Sequence, residues 1–529
     1  MKTNLSNILC GLAALSLIAL TSCSEKYLDQ EPGGATITEE QAKNMDNFLH
    51  GSLLGVYTSM YAYGGEHDVF GQRSIDMYGD LLCGDMALKT QNYGWFSSDE
   101  LQQTYGRRAY FWAYYYDIIR ACNKTINVID ASEAGRPQLE FDASAITDEQ
   151  YYNGYYFAEL LAMRGWAYSG LLRYFTPAHD IDMSTELAVP VYTDADTKAD
   201  TILGAPRSTV EVVYQQVEED LRSAINYFTA YSDADRDSKL EVNVDIARIL
   251  LAYSYLNKGE YADALKFAKD AIDNTAAILL PNEEVLTTGF NNVEHKNWLW
   301  GEDVTVQNTT ALASFFGQCD IYSYSYASAG DVKGIDENLY KEIKDGHPWD
   351  IRVGWWCNYA NSGKKNASSF NFAPDGKFYS ASSTTLQGDR DWLSDNVFMR
   401  LELAYLIAAE AACRNNDDIT ALTYLTAITD LRVIEGKELE YAAWKATLAS
   451  HDVLLEAIRY NWRVELWGEG YALQTFRRFN QAVTLGDNHL RSNKTLSPDA
   501  PAYYYTFEIP TAESRYNPFI RSTTELATE

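Results

Sequence analysis

The sequence predicts a mostly α protein in which antiparallel helix pairs scaffold a large, irregular, loop-rich region with short strands. One helix pair is written in small and apolar residues at helical spacing on both sides of a turn: Leu251, Ala252 and Tyr255, then Gly259, then Tyr261, Ala264, Ala268 and Ala271. The same arrangement returns after residue 400. Between about residues 281 and 396 this periodicity stops, and Gly, Ser, Asn and aromatic residues dominate, which marks irregular backbone. Composition agrees with a folded chain: 529 residues, 46% hydrophobic and 22% charged. With 74 acidic against 43 basic side chains the formal net charge is −31. That excludes non-specific nucleic-acid binding, which needs Lys and Arg to neutralise phosphates, and docking on anionic lipid through a basic face. The aromatic set is skewed, with 39 Tyr beside 20 Phe and 12 Trp. Tyr pairs a flat apolar face with a polar tip, so the excess fits either a wetted recognition surface or a Tyr-lined core.

Taken in order, the first element is a targeting segment. Lys2 precedes an apolar run from Ile8 to Leu20, too short for the ~20 residues that span a bilayer. It ends in Leu20-Thr21-Ser22-Cys23, an apolar residue, two small ones and Cys, which resembles the lipobox of bacterial lipoproteins. This predicts a signal peptide over residues 1–22. Cys23 then becomes the mature N-terminus carrying diacylglycerol and a fatty acyl chain, with no other cofactor. Residues 23–529 are expected to form one domain. Its helical part covers about 23–280, the irregular insert about 281–396, and a C-terminal helical part about 397–529. No later run is long and apolar enough to span a membrane, so membrane contact is expected through the lipid anchor only. The remaining cysteines, Cys83, Cys122, Cys319, Cys357 and Cys413, are odd in number and widely spaced. Without a CxxC or a Cys/His cluster, no metal site or redox motif is predicted. Buried free thiols are the favoured reading, and one disulfide is also compatible with the count.

A small aromatic-rich irregular region spans Tyr57 to Trp95. Arg107 to Ile129 then places Trp112, Tyr115, Ile118, Ile119 and Ile126 on one helical side. Tyr155–Phe175 and Thr209–Phe228 read as an amphipathic pair separated by a loop holding Pro177, Pro190 and Pro206. The block from Val244 to Ile272 matches the tetratricopeptide pattern, in which small residues let two helices pack closely around a turn. Leu401 to Leu431 reads as a second copy. Ala408, Ala409 and Ala412 lie in its first helix, Asn416-Asp417 at the turn, and Ala421, Leu425 and Ile428 in its second. A further helix is expected over Leu454 to Phe479.

Several motifs, in this order, resemble the SusD/RagB family of lipoproteins. They begin with Cys23 followed by Leu28-Asp29 and Pro32, then Phe111 to Asn123. Next come Ala158-Glu159 through Arg164 to Tyr174-Phe175, Val189-Pro190, and Pro206-Arg207-Ser208-Thr209 with Asp220-Leu221. The series closes with Arg463-Val464-Glu465-Leu466 running to Glu469-Gly470, and Glu508-Ile509-Pro510 to Asn517-Pro518. Asn461, Trp462 and Gln474 depart from the family pattern at positions expected to carry structural ion pairs. The resemblance implies a SusD-like fold and a cell-surface lipoprotein of the outer membrane, facing the exterior. Its implied partner is a SusC-like TonB-dependent barrel transporter, on which it would sit as a lid. Its implied ligand is an oligosaccharide, or in some branches a peptide. In that family the tetratricopeptide helices largely face the transporter and irregular loops opposite hold the ligand.

A sugar ring has an apolar C–H face and a polar rim, so aromatic platforms beside Asp, Asn, Arg or Gln suit it. In the first irregular region the candidates are Tyr78, Asp85, Tyr93 and Trp95, with Tyr93 and Trp95 flanking Gly94 as a loop platform. In the insert, Tyr322, Tyr324 and Tyr326 alternate at period two, which would align them on one strand face. Trp298 and Trp300 share that spacing, and for both rows a sheet-core face is the competing reading. Of the adjacent Trp355 and Trp356, one is expected inside and the other, taken as Trp356, at the ligand. Trp349, beside Asp350-Ile351-Arg352, reads as packing. Catalysis finds little support. There is no His-Glu-x-x-His, Gly-x-Ser-x-Gly or phosphate-binding Gly-rich loop, and in so acidic a chain carboxylate pairs such as Asp389/Asp391 read as solvated surface. The expectation is a non-enzymatic glycan-capturing protein. A peptide- or glycopeptide-capturing protein and a non-binding structural lid are the alternatives, and a glycoside hydrolase is the least favoured.

Overall fold

The computed structural model describes residues 48–90, 92–96, 106–132, 135–176, 181–193, 204–232, 238–358, 370–380, 390, 392–490, 492–497 and 506–520. The signal segment, Cys23 and the Leu28-to-Pro32 motif lie outside the described residues, as do Pro177, Asp389 and Asp391. Helices dominate: α1 Phe48–Ser59, α2 Gln72–Leu82, α3 Arg108–Ala131, α4 Asp148–Phe175, α5 Val210–Ala230, α6 Val244–Lys258 and α7 Tyr261–Asn274. After them come α8 Phe315–Cys319, α9 Glu337–Lys341, α10 Leu401–Arg414, α11 Asp418–Thr429, α12 Glu438–Thr447, α13 His451–Glu465, α14 Ala472–Phe479 and α15 Thr511–Tyr516. None of the described helices is long and apolar enough to cross a membrane.

Their ends follow from local chemistry. Thr147 caps α4 in a reciprocal box with Gln150, Thr209 accepts from the Val212 N–H to start α5, and Asn243 accepts from Asp245 and Ile246 to start α6. Gly259 ends α6 in the left-handed region at φ 87°, which a residue without Cβ adopts freely. At the equivalent turn between α10 and α11, Asn416 takes φ 61° and the Asp417 side chain caps α11. Both expected helix pairs are therefore present. They also adjoin in space: α3, α4, α5, α6 and α7 pack in succession, α7 packs on α10, and α10 on α11 and α13. The insert leaves this stack after α7 and returns to it at α10. The expected helix over Leu454–Phe479 is instead two, α13 and α14, because Gly468 and Gly470 turn the chain at φ 78° and 83°.

Among the described residues, three two-stranded antiparallel ladders organise the rest. β1 (Met86–Leu88) pairs with β3 (Lys333–Ile335), which holds the first aromatic-rich region against the insert. β2 (Trp298–Glu302) pairs with β4 (Asn396–Arg400) and closes the two ends of the insert upon each other. β5 (Val483–Thr484) pairs with β6 (Thr495–Leu496).

Residues of the family-like motifs hold the helices together. Arg164 on α4 pairs with Asp220 on α5 at 2.6 Å and donates to Asn123 on α3 at 2.8 Å, all three buried. Glu465 takes Arg352 at 3.0 Å and Arg432 at 2.8 Å, while Glu469 takes Lys377 at 2.7 Å and Arg400 at 2.9 Å. Asp350 and Glu402 add carboxylates to Arg352 and Arg400, so the buried charges balance. Burial opposes ionisation of Glu465, yet Arg432, Arg352 and Arg400 together hold its carboxyl well below the usual range. The network joins the insert (Arg352, Lys377) to β4 (Arg400) and α13 (Glu465). Among the departures, Asn461 accepts from Arg352 at 2.9 Å, a neutral acceptor in a charged network. Trp462 lies under the Arg478 guanidinium, 4.7 Å from the ring centre. The five described cysteines are all buried.

Candidate functional site

Four segments converge on one solvent-facing aromatic cluster. Tyr63 and His67 come from the turn after α1, Tyr93 and Trp95 from the loop after β1, Tyr324 and Tyr326 from the insert, and Arg390 with Trp392 from the insert's return. Tyr63, Tyr93 and Tyr324 are each about half exposed, at 48%, 51% and 46%. Tyr326 forms the floor: it is 8% exposed, meets Tyr93 edge-on at 5.2 Å, and shares a hydrogen bond of 2.7 Å with His67 Nδ1. Trp95 stacks on His67 at 5.5 Å. The Arg390 guanidinium lies over the Tyr324 ring at 4.6 Å, and the Trp392 indole donates to the Tyr324 carbonyl at 3.0 Å.

Backbone anchors hold this surface in place. The Asp331 carboxylate accepts from the Asn92 N–H at 2.8 Å and the Tyr93 N–H at 3.1 Å. Phe96 pins the other end of the loop, buried against Tyr78 at 4.5 Å. Asp320 accepts from the N–H groups of Tyr322 and Ser323, both at 2.9 Å, and so shapes the turn that presents Tyr324. Below the cluster Lys333 is buried, 5.7 Å from the Tyr326 ring centre, and burial lowers its ammonium to about 8. The resulting surface offers exposed ring faces with phenol, imidazole and guanidinium groups at their margins. Such a surface can cover the apolar face of a sugar and hydrogen-bond its hydroxyls.

Of the residues expected at a ligand, Tyr93, Trp95 and Tyr324 come together here, with Trp95 half-buried rather than a free platform. The others do not. Tyr78 is fully buried and donates to Asp68 at 2.6 Å. Asp85 is buried in an ion pair with Arg463 at 2.7 Å. Trp298 and Trp300 do lie on a strand, but both are 1% exposed, with Trp300 edge-on to Trp166 at 5.6 Å. Trp355 and Trp356 are both core, Trp356 against Trp467 at 5.6 Å. The Tyr322–Tyr326 row is a series of bends rather than a strand. Tyr322 turns inward, its hydroxyl bonded to Asp375 and its ring against Tyr379 at 6.0 Å. Apart from Asp85, whose carboxylate is taken up by Arg463, a large ring fills interior volume in each case and leaves no face for a ligand. Sequence reasoning missed Tyr63, His67, Arg390, Trp392 and the anchor Asp331. The aromatic texture of Tyr57 to Trp95 pointed to the first two, whereas nothing local marks the others.

An interior cavity of about 50 Å³ lies among α4, α6 and β2, lined by Asp76, Arg173, Tyr253, Ser254 and Trp300 among others. Among the described residues, the Ser254 hydroxyl and the Trp300 indole N–H have no hydrogen-bond partner. That volume suits a few water molecules and not a pyranose ring.

Comparison with known proteins gives a consistent likeness. A family model described as starch-binding associating with outer membrane matches residues 26–251, and a model of the SusD family matches residues 316–520. A SusD-like protein of Bacteroides ovatus is 23% identical over 292 residues, 54% of this chain. That match spans 48% of the relative, about half its length. A SusD-like carbohydrate binding protein from Bacteroides vulgatus superposes with a TM-score of 0.71 at 22% identity, covering 89% of this chain and 96% of the other. A SusD superfamily protein from Bacteroides thetaiotaomicron gives 0.67 at 20%, covering 92% and 99%.

Proposed function

The chain belongs to the SusD/RagB family, and on that premise we propose that it captures oligosaccharides at the cell surface for a SusC-like TonB-dependent outer-membrane transporter. In this reading the acylated Cys23 tethers it to the outer membrane and the folded part faces the exterior. The observation that carries the proposal is the exposed cluster of Tyr63, Tyr93 and Tyr324 around the Tyr326 floor, with Arg390 and His67 at its edge. Ring faces remove the C–H side of a sugar from water, and the phenols, imidazole and guanidinium replace hydrogen bonds that its hydroxyls give up. Asp331 and Phe96 fix the Tyr93 loop before the ligand arrives, which lowers the ordering cost of binding.

The role is binding rather than catalysis. Burial pushes Asp80 and Glu302 up to about 8, the range a general acid needs. Both are nonetheless enclosed, Asp80 below the Gly470 and Ala472 N–H groups and Glu302 against Asn396. The proposal is tested by titrating the purified full chain calorimetrically with a panel of oligosaccharides and peptides. Saturable binding of an oligosaccharide that is recovered intact, and weakened in Tyr93→Ala, is the expected result. Turnover of the sugar would overturn it. Binding to peptides alone would move the assignment to peptide capture. No binding at all, with a barrel co-purifying, would make the protein a structural lid.

A further inference from the structure

We propose that Cys413, Asp418 and His451 form a zinc site that ties the second helix pair to α13. Nothing in the linear spacing suggests it: Cys413 and His451 lie 38 residues apart, outside any Cys/His motif. The fold brings them together because Cys413 sits in the last turn of α10, Asp418 opens α11, and His451 opens α13, which packs on both. Cys413 Sγ is 3.8 Å from Asp418 Oδ1 and 3.9 Å from His451 Nδ1, and the last two atoms are 2.8 Å apart.

These separations approach the edges of a tetrahedral metal site. Zinc bonds of about 2.0 Å to N or O and 2.3 Å to S imply edges of about 3.3–3.6 Å. The two sulfur edges exceed that by a few tenths of an ångström. The shorter N–O edge is the present Asp418–His451 hydrogen bond, which would open by about half an ångström to admit the ion. A thiolate, an imidazole and a carboxylate form a donor set for zinc rather than for calcium or magnesium, which take oxygen ligands. Access is also suitable. The thiol is buried, while the Asp418 and His451 side chains are 41% and 39% exposed, so an ion enters from solvent and keeps a water as fourth ligand.

Burial and the Asp418 carboxylate push the Cys413 thiol up to about 12, with Arg414 opposing and Glu410 assisting. A divalent cation reverses that field. It takes the place of the thiol proton, which leaves to solvent, while the neutral imidazole carries its proton on Nε2 so that Nδ1 binds the metal; the new bonds form without any change of oxidation state. The competing account is a surface ion pair between Asp418 and His451 beside a bystander thiol.

The test is cobalt and zinc titration of the full chain after chelation. The expected result is a single equivalent of Co²⁺ that gives a thiolate-to-cobalt charge-transfer band and is displaced by Zn²⁺. The band should vanish in Cys413→Ser, and affinity should fall at least about tenfold in His451→Ala. His451 is exposed enough for its substitution to leave the fold intact, so that variant decides the matter even where loss of the buried Cys413 destabilises the chain. Absence of the band in the parent protein, or a band unchanged in His451→Ala, would overturn the site. Either result leaves the glycan-capture proposal untouched, because the aromatic cluster uses none of these residues.

Discussion

Tyr78 and Tyr93 come from the same aromatic-rich stretch, yet one is fully enclosed and the other is half exposed. The distinction lies in their neighbours. Tyr78 sits on a helix between Phe96 and Phe111, whereas Tyr93 sits on a loop hung from Asp331. Substitution separates the two classes. Tyr93→Ala or Tyr324→Ala should weaken oligosaccharide binding by about tenfold, roughly 1.4 kcal/mol, by removing one stacking face. Thermal stability should stay within about 0.5 kcal/mol of the parent, as for other surface changes. Calorimetric titration and thermal melts check both halves. Trp300→Ala should do the reverse, costing about 3–5 kcal/mol of stability through the cavity it leaves, measured as a lower urea midpoint. Trp95 falls between these classes, since its ring is half-buried on His67, and its loss should affect both measurements. Residue type identified which side chains could stack on a sugar. It did not reveal which of them had already stacked on protein, because that depends on partners as distant as residues 166 and 300.

At the scale of elements, the helices were legible because their signals are local. Small residues at helical spacing, capping side chains at 147, 209 and 243, and a glycine at 259 all act within a few residues. Gly259→Ala offers a clean check. A Cβ there would meet nothing nearer than the Tyr261 hydroxyl at 3.9 Å, so the cost is conformational, about 1 kcal/mol from forcing a side chain into φ 87°. Denaturant unfolding should show that loss with ligand affinity unchanged. The expected helix over Leu454–Phe479 failed for a related reason. Apolar spacing continues across the segment, but Gly468 and Gly470 adopt conformations that end α13. The tyrosine row at 322–326 failed differently. Period-two alternation specifies a strand only where a partner strand is available, and no ladder among the described residues includes this row. Asp320 instead accepts from the Tyr322 and Ser323 N–H groups and shapes a turn.

Across the whole molecule, the buried ion network couples the insert to the helical stack. Glu465→Gln would leave Arg352, Arg400 and Arg432 with too little counter-charge in the interior, and should cost about 3–5 kcal/mol, read from the urea midpoint. Glu302 sets a pH dependence of opposite origin. Burial raises its carboxyl from 4.5 to about 8, so the folded chain keeps a proton that the unfolded chain has released. Its contribution to stability is complete below about pH 4.5 and is lost as pH rises through about 8. Glu302→Gln should therefore match the parent near pH 4.5 and melt at a higher temperature above pH 8. A parallel fall in both proteins would show that Glu302 does not titrate in that window. Asp80, raised to about 8 by burial, leaves part of the decline in the variant. The helix pairs and the family resemblance were legible along the chain, since they rest on local periodicity and motif order. Which aromatics face solvent, which charges are buried and which potential metal ligands meet was not written locally. Those properties arise from contacts such as Tyr93 with Asp331, Arg352 with Glu465 and Cys413 with His451. Such pairs lie far apart along the chain, and only the packing of the stack against the insert brings them within bonding distance.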